Sequence, residues 1–226
     1  MSEEEINRKI TIIFATDVVG YSKHMEADES ETVKNLRACE KLLTGLFKKH
    51  KGRLFNTGGD SFLAEFSSAV SAVECAVEFQ KAIKERNSTE EATVNLKFRI
   101  GINSGDVVKE KDNLLGDGVN IAARLEALAQ SGGITISKSV YDYVKGKTQH
   151  EFNDLGMQRV KKNDFHAFDI LLDPSQKRTL KTKSGSMIPI IGAIAATLLV
   201  GVFYFTFFQN LSDKSKPTAQ ISSLNT

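Results

Sequence analysis

The sequence has few of the residue types that build disulfide frameworks and zinc centres. Only two cysteines, Cys39 and Cys75, occur in 226 residues, and both fall in helix-like segments. We therefore predict two reduced thiols in the core rather than a disulfide. The four histidines are scattered, and none stands in an HExxH or Cys/His metal spacing. Their positions argue against a zinc site.

No charge of either sign dominates the chain, whose formal net charge is +2. A nucleic-acid-binding surface needs a clustered basic face, so no nucleic-acid partner is expected. The N-terminal residues MSEEEINRK are acidic and lack an apolar stretch, which argues against a secretory signal peptide. Hydrophobic residues make up 41% and charged residues 26%, which is typical of a folded domain.

One long apolar run stands out, because residues 187–208 contain no charged side chain. Roughly 20 apolar residues span a bilayer as a helix, so a single transmembrane helix is predicted there, in contact with membrane lipid. More basic residues precede the run than follow it, and the positive-inside rule then predicts a single-pass protein of the cell membrane with its N-terminal domain in the cytoplasm. The predicted order is a domain over 1–173, a basic linker over 174–186, the transmembrane helix over 187–208 and a polar tail over 209–226.

Hydrophobic spacing within the first 173 residues alternates between strand and helix periods. Strands are predicted at 10–15, at 53–66 as a hairpin turning at Gly58-Gly59-Asp60, at 94–108 as one strand or a pair bent near Gly105, and at 134–136, 151–159 and 167–172. Helices are predicted at 29–49, 70–83, 117–129 and 138–144. The order β-α-β-β-α-β with appended elements predicts an α+β domain of the ferredoxin-like, split βαβ type.

Two aspartates stand where this fold would bring them together. Asp17 ends the first apolar strand, and Asp60 lies in the hairpin turn. In a split βαβ sheet the first strand and the hairpin are neighbours. Two close carboxylates repel each other unless a cation lies between them. Oxygen-only ligation of this kind suits Mg²⁺ or Mn²⁺, with substrate phosphates completing the shell.

Four segments in order strengthen this interpretation: TDVVGYS (16–22), NTGGDSFLAEF (56–66), FRIGINSGDV (98–107) and GDGVNIAARLE (116–126). Together they resemble the class III adenylate/guanylate cyclase catalytic domain, from about Ile10 to Leu172. The later segment DLGMQRVKK (154–162) also resembles the closing strands of that family.

The resemblance implies a set of roles at one active site. Asp17 and Asp60 would bind two divalent ions, Mg²⁺ or Mn²⁺. Arg99 would contact phosphate from the same protomer, and Lys161 would hold the terminal phosphates. The segment that wraps the phosphates would be Val18, Val19, Gly20 and Tyr21.

The resemblance also implies a homodimer, because the site needs residues from two chains. Asn120 and Arg124 lie four apart on one helical face and would come from the partner protomer. They would orient the ribose and stabilise the α-phosphoryl group. The implied reaction is attack of the ribose 3′-oxygen on the α-phosphorus of ATP, which releases pyrophosphate and forms cyclic AMP for signalling.

The base-selecting positions depart from the family pattern. Adenylate cyclases usually have a lysine and an aspartate there, whereas this sequence has Asn56 and Asn113. An amide can both donate and accept a hydrogen bond, so this pair is compatible with ATP or GTP. A guanylate cyclase and a catalytically inactive nucleotide-binding module are therefore alternatives. The segment GGDSF (58–62) also resembles the GGDEF motif of diguanylate cyclases, but that family has no counterpart of residues 116–126.

Overall fold

The structure is a computed structural model that describes residues 7–89, 92–160 and 163–180. Its strands are β1 Arg8–Val18, β2 Arg53–Gly58, β3 Ser61–Phe66, β4 Phe98–Glu110, β5 Asn113–Leu115, β6 Ile134–Ser137, β7 Glu151–Val160 and β8 Asn163–Leu171. Its α-helices are α1 Tyr21–Ala27, α2 Glu29–Lys49, α3 Ala69–Arg86, α4 Asp117–Leu128 and α5 Lys138–Val144, and a 3-10 turn covers Pro174–Gln176.

The strands form one mixed sheet in the order β2-β3-β1-β4-β6-β8-β7, with β5 paired to β4. The pairing of β4 with β6 is parallel, and the other pairings are antiparallel. The first four strands and helices α2 and α3 make the β-α-β-β-α-β unit, with β1 between β3 and β4. The predicted α+β, split βαβ architecture is therefore confirmed for this domain.

The two faces of the sheet are covered unequally. Alternate residues of β1 point to opposite faces, as the strand period requires. Phe14 faces α2, α3 and α5 and belongs to the larger core, where its ring meets that of Phe47 edge-on at 5.3 Å. Ile13 and Ala15 face the other side, where they form a smaller cluster with Ala122 of α4. Helix α4 thus packs on the face to which Asp17 also points.

Glycine at position 101 lets α4 pack directly on β4. A Cβ atom at Gly101 would lie 2.1 Å from the backbone nitrogen of Glu126 and 2.2 Å from the carbonyl oxygen of Ala122. At Gly105 a Cβ atom would lie 2.9 Å from the Cα atom of Gly118. Strand β4 continues unbroken through Gly105, so the single-strand alternative is correct. That glycine serves helix packing rather than a bend.

Several details differ from the sequence predictions. Helix α1 and the short strand β5 were not predicted, and β4 begins at Phe98 rather than at 94. Ile10, placed in a buried strand from its apolar neighbours, is 77% exposed, and it lies beyond the β1–β3 pairing, which begins at Ile12. Cys39 and Cys75 are buried free thiols, as predicted.

The folded domain continues into the segment predicted as a linker. Arg178 forms a two-pronged ion pair with Asp169 of β8, with Nε 2.7 Å from Oδ2, and its Nη2 donates to the carbonyl oxygen of Leu128 at 2.9 Å. The predicted transmembrane helix 187–208 and the polar tail lie outside the described residues. Within the ranges described, no helix is long and apolar enough to cross a membrane.

Candidate active site

The two aspartates meet at the end of β1. Asp17 lies opposite Arg99 in the β1–β4 register, and β3 pairs with β1 on the other side. The hydroxyl of Ser61, the first residue of β3, donates to Oδ1 of Asp17 at 2.8 Å. Asp60 immediately precedes Ser61 in the β2–β3 turn. The predicted approach of Asp17 and Asp60 is therefore present in the structure.

The shape of the β2–β3 turn positions Asp60. Gly58 pairs with Ser61, so Gly59 and Asp60 are the two residues of a tight hairpin turn. Gly59 has φ +71°, a backbone conformation that costs glycine little. Glycine in the first of two turn positions is the preference of a type II′ hairpin, whose twist matches that of the strands.

The two carboxyl groups interact electrostatically. Burial raises the pKa of Asp60 above its ordinary value, and the nearby negative charge of Asp17 raises it further, while the charge of Arg99 lowers it. Such a pair favours a cation between the two groups. The described ranges contain no group of three or more His, Cys, Asp or Glu side chains arranged to hold a metal. Two carboxylate ligands fit Mg²⁺ or Mn²⁺, since Mg²⁺ commonly takes one or two carboxylates and fills its shell with water and phosphate oxygens.

Arg99 lies between two acidic side chains. Its Nη2 donates to Oδ2 of Asp17 at 3.2 Å, and its Nε lies 2.8 Å from Oε1 of Glu126 on α4. Both Nε of Arg99 and Oε1 of Glu126 are buried. Their contact lacks hydrogen-bond geometry, so neither atom has a hydrogen-bond partner within the described part of the chain. Burial is the main cause that raises the pKa of Glu126 to about 7, and the charge of Arg99 opposes the shift.

The sequence analysis assigned no role to Glu126, although this residue ends the segment GDGVNIAARLE (116–126). An acidic residue near the end of an amphipathic helix ordinarily faces solvent. Its side chain is instead only 12% exposed. The sequence feature that could have indicated its burial is Gly101, two residues after Arg99 on β4, because a glycine there lets a helix backbone approach the strand closely.

Asn120 and Arg124 both lie on α4, four residues apart. Asn120 is exposed and Arg124 is half-buried. In the described structure neither side chain hydrogen-bonds to Asp17 or Asp60. The Nη1 atom of Arg124 is buried and has no hydrogen-bond partner among the described residues. Within the described chain Arg99 thus contacts Asp17, whereas Asn120 and Arg124 make no hydrogen bond or ion pair with either aspartate.

The segment predicted to wrap the phosphates links β1 to α1. Val18 is buried, and the N–H of Val19 donates to the carbonyl oxygen of Lys97 at 2.8 Å, so that N–H is already used. Gly20 is exposed and immediately precedes α1. Tyr21 packs against the larger core. Lys161 lies outside the described residues.

The two amide residues lie on β2 and β5, which do not pair with each other in the sheet. The β2–β3 pairing shifts between Leu54 and Asn56, so Asn56 pairs with Leu63, whose side chain packs on the α4 face. Asn113 begins β5, and its Oδ1 accepts from the N–H of Leu114 at 2.9 Å. β2 and β5 approach each other, since Nη1 of Arg53 donates to the carbonyl oxygen of Asp112 at 2.8 Å. No hydrogen bond joins Asn56 to Asn113 in the described structure.

A cavity of about 720 Å³ lies away from this site. It is lined by residues at the start of β1, including Lys9, and by Tyr143 near the end of α5. Lys9 and Asp17 are eight positions apart along β1, which corresponds to roughly 26 Å. The cavity is therefore not the place where the aspartates could bind a ligand.

The fold and the sequence together define the family. Residues 2–171 match the adenylate and guanylate cyclase catalytic domain family. The chain belongs to this family. A crystal structure of an adenylate/guanylate cyclase/hydrolase from Silicibacter pomeroyi is 34% identical, with a TM-score of 0.68, and the match covers 75% of this chain and 100% of that one. The catalytic core of a rhodopsin-guanylyl cyclase with converted specificity, in complex with ATPαS, is 25% identical with a TM-score of 0.66, and covers 74% of this chain and 98% of that one.

A relative in Rhizobium meliloti, provisionally named adenylate cyclase 3, is 44% identical over 162 residues. The match covers 71% of this chain but only 28% of that protein. In the serine/threonine-protein kinase pkn2 of Myxococcus xanthus, which is 28% identical over 129 residues, the match covers 57% of this chain and 16% of the kinase. The chain thus spans less than a third of the length of these relatives.

Proposed function

We propose that the domain is a nucleotidyl cyclase that converts ATP into 3′,5′-cyclic AMP and pyrophosphate for cyclic nucleotide signalling. The observation that supports this most directly is the approach of Asp17 and Asp60 at the end of β1, beside Arg99. The paired carboxylates suit the metal ions that accompany a nucleoside triphosphate, and the adjacent guanidinium suits its phosphate oxygens.

Each residue of the site has a chemical task in this proposal. Asp17 and Asp60 would hold two divalent cations, Mg²⁺ or Mn²⁺. When bound, these ions would favour ionisation of the ribose 3′-hydroxyl and neutralise phosphate charge. Arg99 and Lys161 would bind phosphate oxygens, and the planar guanidinium of Arg99 can contact two oxygens at once. The turn from Val18 to Gly20 would close around the phosphates.

A homodimer with two shared sites would complete the machinery. Asn120 and Arg124 would serve the aspartates of the partner, where they would orient the ribose and stabilise the charge on the α-phosphoryl group. The buried Nη1 of Arg124 supports this, because a buried charged donor without a partner costs about 1–3 kcal/mol or more. A substrate phosphate in a second chain's site would supply the missing acceptor.

Product identification tests the activity. The domain is incubated with Mn²⁺ and either ATP or GTP, and the products are identified by mass spectrometry. We expect cyclic AMP from the wild type, none from Asp60→Ala, and unchanged activity from the control Asp142→Asn, whose side chain is exposed on α5. Cyclic GTP alone would identify a guanylate cyclase. Failure with both triphosphates would favour an inactive nucleotide-binding module.

Mixing two inactive variants tests the shared site. Asp17→Ala removes a metal ligand, and Arg124→Ala removes the group offered to the partner. A mixed dimer of the two contains one complete site, so cyclase activity should return on mixing. Activity that does not return would refute the shared site. A mixture of Asp17→Ala with Asp60→Ala is the matched control, since its dimers contain no complete site.

The preference for ATP rests on relatives named adenylate cyclase rather than on Asn56 and Asn113. A lysine at position 56 would restore the residue usual in adenylate cyclases. We therefore expect Asn56→Lys to raise the ratio of kcat/KM for ATP to that for GTP. An unchanged ratio would show that position 56 does not select the base.

We also propose that residues 187–208 anchor the domain to the cell membrane, with the domain in the cytoplasm. The support is the uncharged apolar sequence and the excess of basic residues before it. Membrane fractionation of the full chain and of a chain ending at residue 186 tests this. Equal amounts of both in the soluble fraction would refute the proposal.

A further inference from the structure

Helix α4 has two flanks that face different parts of the domain. Val119 packs with the cluster of Ile13 on β1, whereas Leu128 packs with the cluster of Phe165 on β8. Glu126 follows Val119 by seven residues, about two turns, and therefore lies on the β1 flank. Arg124 precedes Leu128 by four residues and lies on the β8 flank.

This arrangement separates two functional groups on one helix. Two residues correspond to roughly 200° of rotation, so Glu126 and Arg124 project in nearly opposite directions. Glu126 reaches Arg99, with 2.8 Å between the charged atoms, and Arg99 reaches Asp17 at 3.2 Å. Arg124 makes no ion pair among the described residues.

We infer that Glu126 is a positioning residue that holds Arg99 beside the aspartates of its own chain, so that α4 serves one site through Glu126 and the partner's site through Arg124. The inference rests on the proposed cyclase function. Arg99 has a long side chain, and without a second anion its guanidinium is free to settle fully on Asp17 or to turn away. The carboxylate of Glu126 lies 2.8 Å from Nε and attracts that end of the guanidinium, while Nη2 stays directed toward Asp17.

The geometry favours a positioning role over a purely structural one. A buried ion pair is weak evidence for stability, because desolvation offsets the attraction. The Nε and Oε1 atoms here also lack hydrogen-bond geometry. A contact kept only to stabilise the fold would be replaceable by apolar side chains. The close approach at Gly101 instead fixes the backbone of Glu126 against the strand that contains Arg99.

The mixed dimer provides a direct test. The intact site uses the aspartates of the Arg124→Ala chain and Arg124 of the Asp17→Ala chain. Placing Glu126→Gln in the Arg124→Ala chain should raise the KM for the triphosphate about tenfold, because a misplaced Arg99 loses a charge-assisted contact with the phosphates. Placing it in the Asp17→Ala chain should change the KM less than twofold, because the affected Arg99 then lies in the disabled site. Equal effects in both placements would overturn the inference.

Binding measurements keep the test independent of turnover. Calorimetry with 3′-deoxy-ATP, which cannot cyclise, should show weaker binding to the Glu126→Gln homodimer than to wild type, with partial recovery in Glu126→Asp. Thermal denaturation of each variant shows that it is folded. If the mixture of Asp17→Ala and Arg124→Ala is inactive even without a change at Glu126, the proposal of a shared site is refuted, and the role of Glu126 is then tested by calorimetry. Equal calorimetric affinities of wild type and Glu126→Gln would then still refute the positioning role.

Discussion

Replacing Gly101 with alanine tests the close contact that places α4 on the sheet. The new Cβ would lie 2.1 Å from the nitrogen of Glu126 and 2.2 Å from the oxygen of Ala122, both backbone atoms. Restoring ordinary contact near 3.5 Å requires α4 to retreat by roughly 1–1.5 Å. Overpacking of this kind costs about 1–3 kcal/mol. Alanine also lowers the conformational entropy of the unfolded chain, which offsets about 0.4–1 kcal/mol of that cost.

The net expectation for Gly101→Ala is a lower melting temperature. A loss of about 1–2 kcal/mol corresponds to roughly 2–8 °C for a domain of this size. Circular dichroism suits the measurement, since the chain has no tryptophan for intrinsic fluorescence. Gly45→Ala is the matched control: Gly45 lies exposed within α2 with nothing within 4 Å of an added Cβ, so alanine there should raise stability by up to about 1 kcal/mol. A Gly101→Ala domain as stable as wild type would refute the packing argument.

Three further predictions concern other buried groups. In EDTA, Glu126→Gln should stabilise the domain increasingly from about pH 4.5 to pH 7: the wild-type pKa is raised to about 7, so the folded domain holds a proton that the unfolded chain releases, and wild-type stability falls through that window. The full shift corresponds to about 3 kcal/mol, and solvent screening reduces the expected gain to roughly 1–2 kcal/mol. If the difference in melting temperature between Glu126→Gln and wild type is the same at pH 5 and at pH 8, the prediction is wrong. Arg178→Ala leaves Asp169 buried without its cation, so unfolding in urea should require about 3 kcal/mol less, and a smaller loss than 1 kcal/mol would place residue 178 outside the folded domain. Burial raises the pKa of Cys75 to about 12, so neither it nor Cys39 should react with a thiol reagent at pH 8 until the domain is unfolded.

The approach of Asp17 and Asp60 could be predicted because it depends on short-range rules. A short apolar strand ending at Asp17 and a tight turn at Gly58-Gly59-Asp60 are visible in the sequence, and the β-α-β-β order makes their strands neighbours. Helix α2 was predicted from the spacing of its apolar residues with its observed bounds, and in the structure Asp28 caps its start by accepting from the N–H of Glu31 at 3.0 Å. Local signals and topology were sufficient for these features.

Features that depend on tertiary packing could not be predicted in this way. Glu126 and Arg99 are far apart in the sequence, and only the packing of α4 at Gly101 brings their side chains together. Arg178 sits in a Lys-, Ser- and Thr-rich segment whose composition indicates a linker, yet its guanidinium pairs with Asp169, which is 6% exposed. Both cases involve a charged side chain whose burial is decided by a distant element.

The unequal covering of the sheet explains how the domain can bury charge at its site. Rings such as Phe14 and Phe47 on the side of α2, α3 and α5 form the larger core, and apolar burial there supplies most of the stability. Among the described residues the opposite face is covered by α4 and two small clusters, so Arg99 and Glu126 can lie there without disrupting the larger core. Substitutions in the larger core should therefore alter stability first. Conservative changes on the α4 face, by contrast, should alter nucleotide affinity while the domain stays folded.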